Sequence, residues 1–335
     1  MANTPDIHSQ SSIFHPRPVL IAGPTAVGKS TIALRLAEQL GGEIISADSM
    51  QVYRGLDIGT AKPSPADRAR VPHHLIDICD LTESFDAAQF TRLAHRTVAE
   101  IQSRGHMPVL CGGTGLYFKA FLEGLGEAPS ADAKLRAELE AAPLEKLLDE
   151  LRERDPAAYE KIDRQNPRRV IRAVEVIRLT GKPFSEQRAD WNVLPASSPE
   201  GLKLEVPARC RNHVFCFIRS SDDLRARINA RVDAMFKRGL VDETRELLKR
   251  GLAENKTAMQ AIGYRQVVEH LRGERPLKET IELVKIRTRQ FAKRQLTWFR
   301  AQKNLEWIEL EPDESLEKCA QNICESFLKS RSDGR

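Results

Sequence analysis

The fold is decided by the stretch Gly23-Pro24-Thr25-Ala26-Val27-Gly28-Lys29-Ser30, which fits the phosphate-loop pattern G-x-x-x-x-G-K-[ST] at every fixed position. An apolar run suited to a buried strand, Pro18 to Ala22, precedes it, and apolar residues recur at helical spacing from Thr31 to Leu40. The loop should therefore join a strand to the positive end of a helix, where backbone N–H groups can hold a polyphosphate. Lys29 can reach the terminal phosphate oxygens, and the Ser30 hydroxyl can bind Mg²⁺.

Length and composition set broad limits. The chain has 335 residues, 41% of them hydrophobic and 30% charged, with a net charge of +5, so it can form two domains or one domain with an insertion. No apolar run approaches the ~20 residues of a membrane span, and the N-terminus lacks the basic and apolar pattern of a signal peptide. We therefore expect a cytoplasmic protein without membrane contact.

The six cysteines show neither a C-x-x-C pair nor the nearby histidines of a zinc site. We expect them to be reduced and mostly buried. They are Cys79, Cys111, Cys210, Cys216, Cys319 and Cys324.

Strand and helix signals alternate after the phosphate loop. Strand-like runs at 43–47, 75–78 and 108–111 enclose a stretch of helical period at 87–104. This alternation predicts an α/β fold with a P-loop NTPase-like parallel sheet flanked by helices. Residues 1–16 are polar and without a period, and we expect them to be a disordered lead.

Two later changes of pattern suggest the domain organisation. From about 123 to 207, helical segments rich in Ala, Leu, Glu and Arg predict a helical insertion domain. A strand signal returns at 213–218, so the catalytic core is expected to comprise 17–122 and 208–312, with a closing helix and tail at 313–335. The largely helical C-terminal part is predicted to hold helices near 222–237, 241–249, 259–271 and 277–301, then a strand at 305–310.

A candidate acid–base residue follows the second predicted strand, in the stretch Ser46-Ala47-Asp48-Ser49-Met50-Gln51-Val52-Tyr53. Ligands of a parallel α/β sheet bind beyond the carboxyl ends of its strands, so Asp48 should face the same crevice as the phosphate loop. A carboxylate there can accept a proton from a nucleophile or hold metal-bound water. An Asp-Ser pair also serves as a helix cap or turn former, and the spacing leaves both roles open.

The strand that ends at Cys111 leads into Gly112-Gly113-Thr114-Gly115-Leu116-Tyr117. Many phosphate-loop enzymes carry an acidic Mg²⁺ partner at such a strand end, whereas here there are only glycines and Thr114. The glycines would let a bulky planar group approach the backbone, and Thr114 could hydrogen-bond it. An ordinary strand-to-helix turn with Thr114 as N-cap is the open alternative.

Positive charge is concentrated in three places. Gln165-Asn166-Pro167-Arg168-Arg169 begins one predicted helix, in which Arg168 and Arg172 share a face. The stretch 285–303 contains seven Lys or Arg residues and no acidic residue, interleaved with aromatic residues. Such runs suit a nucleic-acid strand, but an amphipathic helix with solvated cations explains them as well.

A row of arginines follows the returning strand and forms the third concentration. Arg227 and Arg231 are four residues apart and can point together at the phosphate site, where one of them would stabilise charge on a departing group. The alternative is ordinary surface pairing with nearby aspartates. The row comprises Arg225, Arg227 and Arg231.

Several of these stretches together resemble the tRNA dimethylallyltransferases (tRNA isopentenyltransferases) of the bacterial type, over roughly residues 17 to 310. The matching motifs are Gly23 to Ser30, Ser46 to Tyr53, Asp57-Ile58-Gly59-Thr60-Ala61-Lys62-Pro63, Gly112 to Tyr117, Asn166 to Arg169, Gln260-Ala261-Ile262-Gly263-Tyr264-Arg265 and Arg294-Gln295-Leu296-Thr297-Trp298-Phe299-Arg300. The resemblance implies transfer of a dimethylallyl group from dimethylallyl diphosphate to N6 of the adenosine at tRNA position 37, next to the anticodon. The products would be N6-dimethylallyladenosine and diphosphate.

The resemblance also implies roles for individual residues. Asp48 would accept the N6 proton, and Thr114 would contact the adenosine or the phosphates. Lys29, Ser30 with Mg²⁺, and Arg231 would neutralise the departing diphosphate. The target adenosine would leave the RNA stack and enter a channel between the core and the insertion.

The resemblance further implies contacts with the tRNA anticodon stem-loop. These residues are Asp48, Ser49, Met50, Gln51, Thr114, Arg136, Gln165, Asn166, Pro167, Arg168, Arg169, Gln260, Ala261, Ile262, Gly263, Tyr264, Arg265, Lys293, Arg294, Gln295, Leu296, Thr297, Trp298, Phe299 and Arg300. Cys319 and Cys324 lack the histidine partners of the zinc finger that some eukaryotic relatives carry, and the resemblance favours a monomer. A small-molecule or nucleoside kinase, and an RNA-binding protein that senses a phosphate ligand, are the competing hypotheses.

Overall fold

The structure is a computed structural model that describes residues 17–126, 128–129, 131–187, 214–302 and 305–332. The chain divides into two compact units, Met1–Phe118 with Pro207–Arg335, and Lys119–Val206. The predicted lead at 1–16, Cys210 and the start of the strand predicted at 213–218 lie outside the described residues.

The first unit is built on a parallel sheet, as predicted. In its described residues the sheet has six strands in the order β3-β2-β4-β1-β5-β6, and all the pairings are parallel. The strands are β1 (Val19–Ala22), β2 (Gly42–Ala47), β3 (His73–His74), β4 (Met107–Gly112), β5 (Val214–Ile218) and β6 (Glu306–Glu309). Every residue of β1, β2 and β4 is buried, as expected for central strands covered on both faces.

Helices supply the rest of the architecture. They are α1 (Lys29–Leu40), α2 (Pro65–Arg70), α3 (Ala87–Ser103), α4 (Gly115–Glu123), α5 (Ala133–Ala141), α6 (Leu144–Arg154), α7 (Pro156–Lys161), α8 (Pro167–Thr180), α9 (Phe184–Gln187), α10 (Ser221–Lys237), α11 (Leu240–Lys249), α12 (Tyr264–Leu271), α13 (Leu277–Arg300) and α14 (Leu316–Ser332). None of the helices in the described part of the chain combines the length and apolar character that crossing a membrane requires.

The core of the first unit holds the phosphate loop in place. Ile32 and Leu36 of α1 share one apolar cluster with Ile323 and Phe327 of α14. Their burial removes apolar surface from water and so fixes α1 against the sheet. The described cysteines Cys79, Cys111, Cys216, Cys319 and Cys324 are free and buried, as predicted.

The second unit has its own apolar core. Leu147 and Leu151 of α6 cluster with Val170, Val174 and Ile177 of α8. These positions recur at three- and four-residue spacing, so each helix buries one stripe against the other. A unit with its own core can hold its shape from its own residues.

The predicted strand at 75–78 is wrong. The strand in this region is β3, and Leu75 and Asp77 adopt left-handed backbone conformations with φ of +59° and +58°. The cause is tertiary: Asp77 accepts hydrogen bonds from the side chains of Lys62 and Arg68. These bonds hold a turn in a stretch whose apolar residues favour a strand.

The helix predicted at 259–271 begins late. Ala258–Gln260 forms a short 3₁₀ turn, and α12 begins only at Tyr264. Gly263 separates the two at a φ of +104°, which is incompatible with a continuous α-helix.

Candidate active site

A cavity of about 580 Å³ in the first unit brings the predicted catalytic residues together. Phosphate-loop residues, the residues that follow β2, Thr114 after β4 and Arg231 of α10 all line it. Parallel strands place their carboxyl ends at one edge of the sheet, so loops distant in sequence meet there. The predicted site residues that line the cavity are Thr25, Lys29, Ser30, Asp48, Ser49, Met50, Gln51, Thr114, Arg231, Gln260, Ala261, Ile262, Arg294 and Gln295.

The phosphate loop needs its first glycine. Gly23 has a φ of +146°, and a Cβ there would lie 2.8 Å from the carbonyl oxygen of Phe217 in β5. A side chain would therefore force the loop away from the sheet. Lys29 begins α1, and its Nζ donates a 3.1 Å hydrogen bond to the carbonyl of Pro24. The amino group is thus folded back over the loop.

Two arginines hold the outer side of the loop. The Nε of Arg219 donates to the carbonyl of Val27 at 2.9 Å, and the Nε of Arg227 donates to the carbonyl of Ala26 at 3.1 Å. Both bonds engage carbonyl oxygens, the backbone groups that would repel a phosphate. Arg227 therefore reaches the phosphate loop, which is the alternative in which the arginines after β5 point at the phosphate site. Arg225 is exposed.

The cavity carries more positive than negative charge. Burial lowers the pKa of Lys29, and Arg231 lowers it further, whereas Cys111 and Asp48 act to raise it. Burial also lowers the pKa of Arg231, against the attraction of Asp48. Lys29 and Arg231 are thus two desolvated cations beside the carboxylate of Asp48. A bound anion would offset the free-energy cost of removing them from water.

Asp48 is held by the turn that it begins. Its Oδ1 accepts a 2.9 Å hydrogen bond from the N–H of Met50, and the N–H of Ser49 donates to Oγ1 of Thr114 at 3.2 Å. The turn-forming role left open by the sequence is therefore present. It is compatible with a chemical role, because the turn orients a half-buried carboxylate that lines the cavity.

Tyr264 and Glu243 hold the loop 57–61 in place through hydrogen bonds. The hydroxyl of Tyr264 donates to Oε1 of Glu243 at 2.6 Å and accepts from the N–H of Gly59 at 3.0 Å. A Cβ on Gly59 would lie 2.4 Å from the Tyr264 ring, so only glycine fits there. The N–H of Ile58 also donates to Glu243. This anchor matters because Gly59, Thr60 and Ala61 line the cavity.

The motif at the end of α13 is partly interior. Phe299 and Gln295 are buried, whereas Lys293, Arg294, Thr297 and Arg300 are exposed. The exposed members have side chains that RNA can reach, whereas Phe299 is enclosed by protein. Leu296 and Trp298 are half-buried.

The other predicted RNA-contacting stretch of the first unit is also mixed. Gln260 and Arg265 are exposed, Ile262 is half-buried, and Ala261 and Gly263 are buried. Tyr264 is fully buried. Its hydroxyl bonds Glu243 and the N–H of Gly59.

The second unit also divides its predicted RNA residues. Arg136 pairs with the fully buried Glu175, which also pairs with Arg172. Removing one partner of such a buried charge is costly, so Arg136 and Arg172 stabilise the unit through Glu175. Gln165, Pro167, Arg168 and Arg169 are exposed, and the half-buried Asn166 caps α8 by accepting from the N–H of Arg169.

Comparison with known proteins identifies the family. The model of the IPP transferase family matches residues 51–302. The chain belongs to the IPP transferase family. The tRNA dimethylallyltransferase of Geobacter sulfurreducens is 47% identical over 296 residues, which cover 87% of this chain and 91% of that protein. The tRNA dimethylallyltransferase of Halorhodospira halophila is 49% identical over 292 residues, covering 85% and 90%.

Solved structures of the family agree with this fold. The tRNA isopentenylpyrophosphate transferase of Bacillus halodurans is 41% identical, with a TM-score of 0.66 and coverage of 95% of this chain and 98% of that one. A eukaryotic dimethylallyltransferase, solved acting on tRNA, is 26% identical, with a TM-score of 0.76 and coverage of 94% and 80%. This member of the IPP transferase family is therefore an enzyme of the transferase class.

Three polar residues of the site were not singled out from the sequence. Arg219 and Glu243 each bond the backbone of a cavity loop, and Lys62 bonds Tyr53, Asp57 and Asp77. Lys62 lies in a motif that the resemblance marked, and Arg219 directly follows a strand. Glu243 carries no signal, since it looks like any acidic residue in the first turn of a helix.

Proposed function

We propose that this enzyme transfers a dimethylallyl group from dimethylallyl diphosphate to N6 of the adenosine next to the anticodon of tRNA. The observation that carries the proposal is the charge of the cavity, which Lys29, Asp48 and Arg231 line together. The carboxylate of Asp48 acts on both cations, and more cationic than acidic side chains line the cavity. The family and the names of its tRNA-modifying relatives support the choice of substrates.

The diphosphate of the donor is the anion that suits this cavity. Lys29 and Arg231 would meet its oxygens, and the N–H groups at the start of α1 would add the positive end of the helix. Negative charge grows on the diphosphate as its bond to carbon breaks, so groups placed to receive that charge lower the barrier.

Magnesium fits the donor set of the site. Ser30 presents an exposed hydroxyl at the start of α1 and lines the cavity, and Mg²⁺ commonly combines one or two protein oxygens with substrate phosphates and water. The Ser30 hydroxyl and the diphosphate oxygens would both be ligands of the ion. When bound, Mg²⁺ would offset charge on the diphosphate.

Asp48 is proposed as the general base. The amine N6 attacks the first carbon of the dimethylallyl group, the bond from that carbon to oxygen breaks, and its electron pair leaves with the diphosphate. The proton of N6 passes to the carboxylate of Asp48. The bond from Met50 to Oδ1 keeps the carboxylate in one orientation, and such positioned bases contribute about 10²- to 10⁴-fold in rate.

The acceptor is proposed to be an adenosine that has left the RNA stack, because a stacked base cannot present N6 to a cavity residue. Thr114, which follows β4, would contact the adenosine, because the neighbouring glycines let the base come close to the backbone. Exposed cations of each unit, Arg168 and Arg169 in one and Lys293 and Arg294 in the other, would bind phosphates. We propose a monomer, because one chain supplies every residue used here. We propose a cytoplasmic location, because the relatives are named for the modification of tRNA.

Release of diphosphate tests the proposal. The protein with Mg²⁺ and dimethylallyl diphosphate should release diphosphate only when an unmodified anticodon stem-loop is present. Asp48→Asn should lower the rate about 10²- to 10⁴-fold while RNA affinity stays within twofold, and Asp222→Asn, an exposed control on α10, should match wild type. RNA-independent consumption of ATP, or full activity of Asp48→Asn, contradicts the proposal.

A further inference from the structure

Gln295 uses both ends of its side-chain amide inside the protein. Its Oε1 accepts a 2.9 Å hydrogen bond from the N–H of Thr25, and its Nε2 donates a 2.8 Å hydrogen bond to the carbonyl of Gly113. The side chain is buried, at 7% exposure. Both polar ends of the amide are therefore taken by protein partners, although Gln295 lies in a motif that resembles an RNA-contacting one.

These two bonds join three parts of the site. Thr25 belongs to the phosphate loop, Gly113 follows β4 next to Thr114, and Gln295 lies on α13 after the exposed Lys293 and Arg294. The backbone N–H is a donor and the carbonyl an acceptor, so the oxygen and the nitrogen of an amide satisfy both partners at once. Neither a carboxylate nor an apolar side chain of the same length can do so.

Gly113 is adapted to this bridge. A Cβ there would lie 2.3 Å from Nε2 of Gln295, and no positive φ accounts for the glycine. The next atom is the carbonyl oxygen of Gly23, at 3.2 Å. A methyl group at this position would therefore displace the amide of Gln295 before anything else.

We propose that Gln295 is a positioning residue for the phosphate loop. It acts through Thr25, which lines the same cavity as Lys29 and Ser30, and it holds the loop in the conformation that binds the diphosphate of the donor. The bridge also joins the helix that carries cations for RNA to the loop that binds the donor. The inference rests on the proposed function for the identity of the ligand.

Binding of inorganic diphosphate with Mg²⁺ measures this role without catalysis. By calorimetry, Gln295→Met should weaken diphosphate binding about 5- to 30-fold, the effect of one or two lost hydrogen bonds, while affinity for the stem-loop stays within twofold. Lys293→Met is the mirror control: RNA binding should weaken and diphosphate binding should not change. In turnover, Gln295→Met should raise the KM for the donor and leave kcat within threefold.

Gly113→Ala provides a second route to the same bridge and leaves Gln295 itself unaltered. It should reproduce the loss of diphosphate affinity, and the double variant should be no weaker than the worse single variant, since both changes break one bridge. Additive losses, unchanged diphosphate affinity in either variant, or a weakened RNA affinity in Gln295→Met would overturn the inference. Unfolding of both variants at the assay temperature would overturn it too, because the bridge would then serve folding.

The outcome is separable from that of the proposed function. If wild type binds diphosphate, the variants bind it weakly and no prenyl group reaches RNA, the proposed function fails and the role of Gln295 stands. If RNA is prenylated and the variants bind diphosphate normally, the proposed function stands and the role of Gln295 fails.

Discussion

Removal of one hydroxyl group, by Tyr264→Phe, should weaken the anchor beneath the loop 57–61. The hydroxyl donates to Glu243 at 2.6 Å and accepts from the N–H of Gly59 at 3.0 Å. The ring remains, so no cavity forms, but the half-buried N–H of Gly59 loses its partner and the carboxylate of Glu243 loses a donor. Together these losses should lower the free energy of unfolding by about 2–3 kcal/mol, or the midpoint of thermal unfolding by about 4–10 °C.

The pH dependence of this loss has a defined sign. Burial raises the pKa of Glu243, and the hydrogen bond from Tyr264 opposes that rise. Without the hydroxyl the pKa of folded Glu243 should rise further above its unfolded value, so folding takes up a proton more readily at low pH. The deficit of Tyr264→Phe should therefore be smaller at pH 5 than at pH 8.

Urea unfolding at the two pH values measures both quantities. Tyr159→Phe is the matched control, because it removes a hydroxyl that hydrogen-bonds the exposed Arg164 side chain, and exposed contacts of this kind contribute little. A deficit of Tyr264→Phe below about 0.5 kcal/mol, within the range of surface substitutions, or one that grows at pH 5, would show that the hydroxyl does not anchor this loop.

Two further predictions concern charge. Burial raises the pKa of Glu43, but hydrogen bonds from Arg104, His106 and His74 outweigh it and bring the pKa from 4.5 to about 2. The charged form therefore stabilises the fold above about pH 4.5 and loses that effect as the pH falls toward 2. Glu43→Gln should lower the free energy of unfolding by about 1–2 kcal/mol at pH 7, after solvent screening of the partners, and by less than half of that at pH 3. Arg169→Ala should weaken stem-loop binding and reduce the slope of log affinity against log salt by about 1.

Urea unfolding tests the Glu43 prediction, and a binding titration at several salt concentrations tests the Arg169 prediction. Equal losses for Glu43→Gln at pH 7 and pH 3 in urea unfolding would show that its ion pairs do not set the acid stability. An unchanged salt slope for Arg169→Ala in a binding titration would show that its guanidinium meets no RNA phosphate.

The sheet and its ligand edge could be predicted because their signals are local. The phosphate loop, its flanking strand and helix, and the position of Asp48 after β2 all follow from short patterns. The parallel order then brings Asp48 and Thr114 to Lys29 without further information, since the carboxyl ends of the strands share one edge.

What the sequence could not show depends on tertiary partners. The turn at Asp77 forms because the side chains of Lys62 and Arg68, earlier in the same part of the chain, bond its carboxylate, and nothing in the apolar run 75–78 reveals them. A motif resemblance marks residues without showing whether RNA or the protein interior requires them. Tyr264 and Gln295 have an interior role, and Arg136 neutralises the buried Glu175.

The proposed prenyl transfer is tested most directly by tandem mass spectrometry of an unmodified anticodon stem-loop incubated with the protein, Mg²⁺ and dimethylallyl diphosphate. We expect the gain of one C5H8 unit at N6 of the adenosine next to the anticodon, dependent on the donor and lost with Asp48→Asn. The proposed transfer would be wrong if the RNA gained no mass, gained it at another base, or gained it with Asp48→Asn at the wild-type rate.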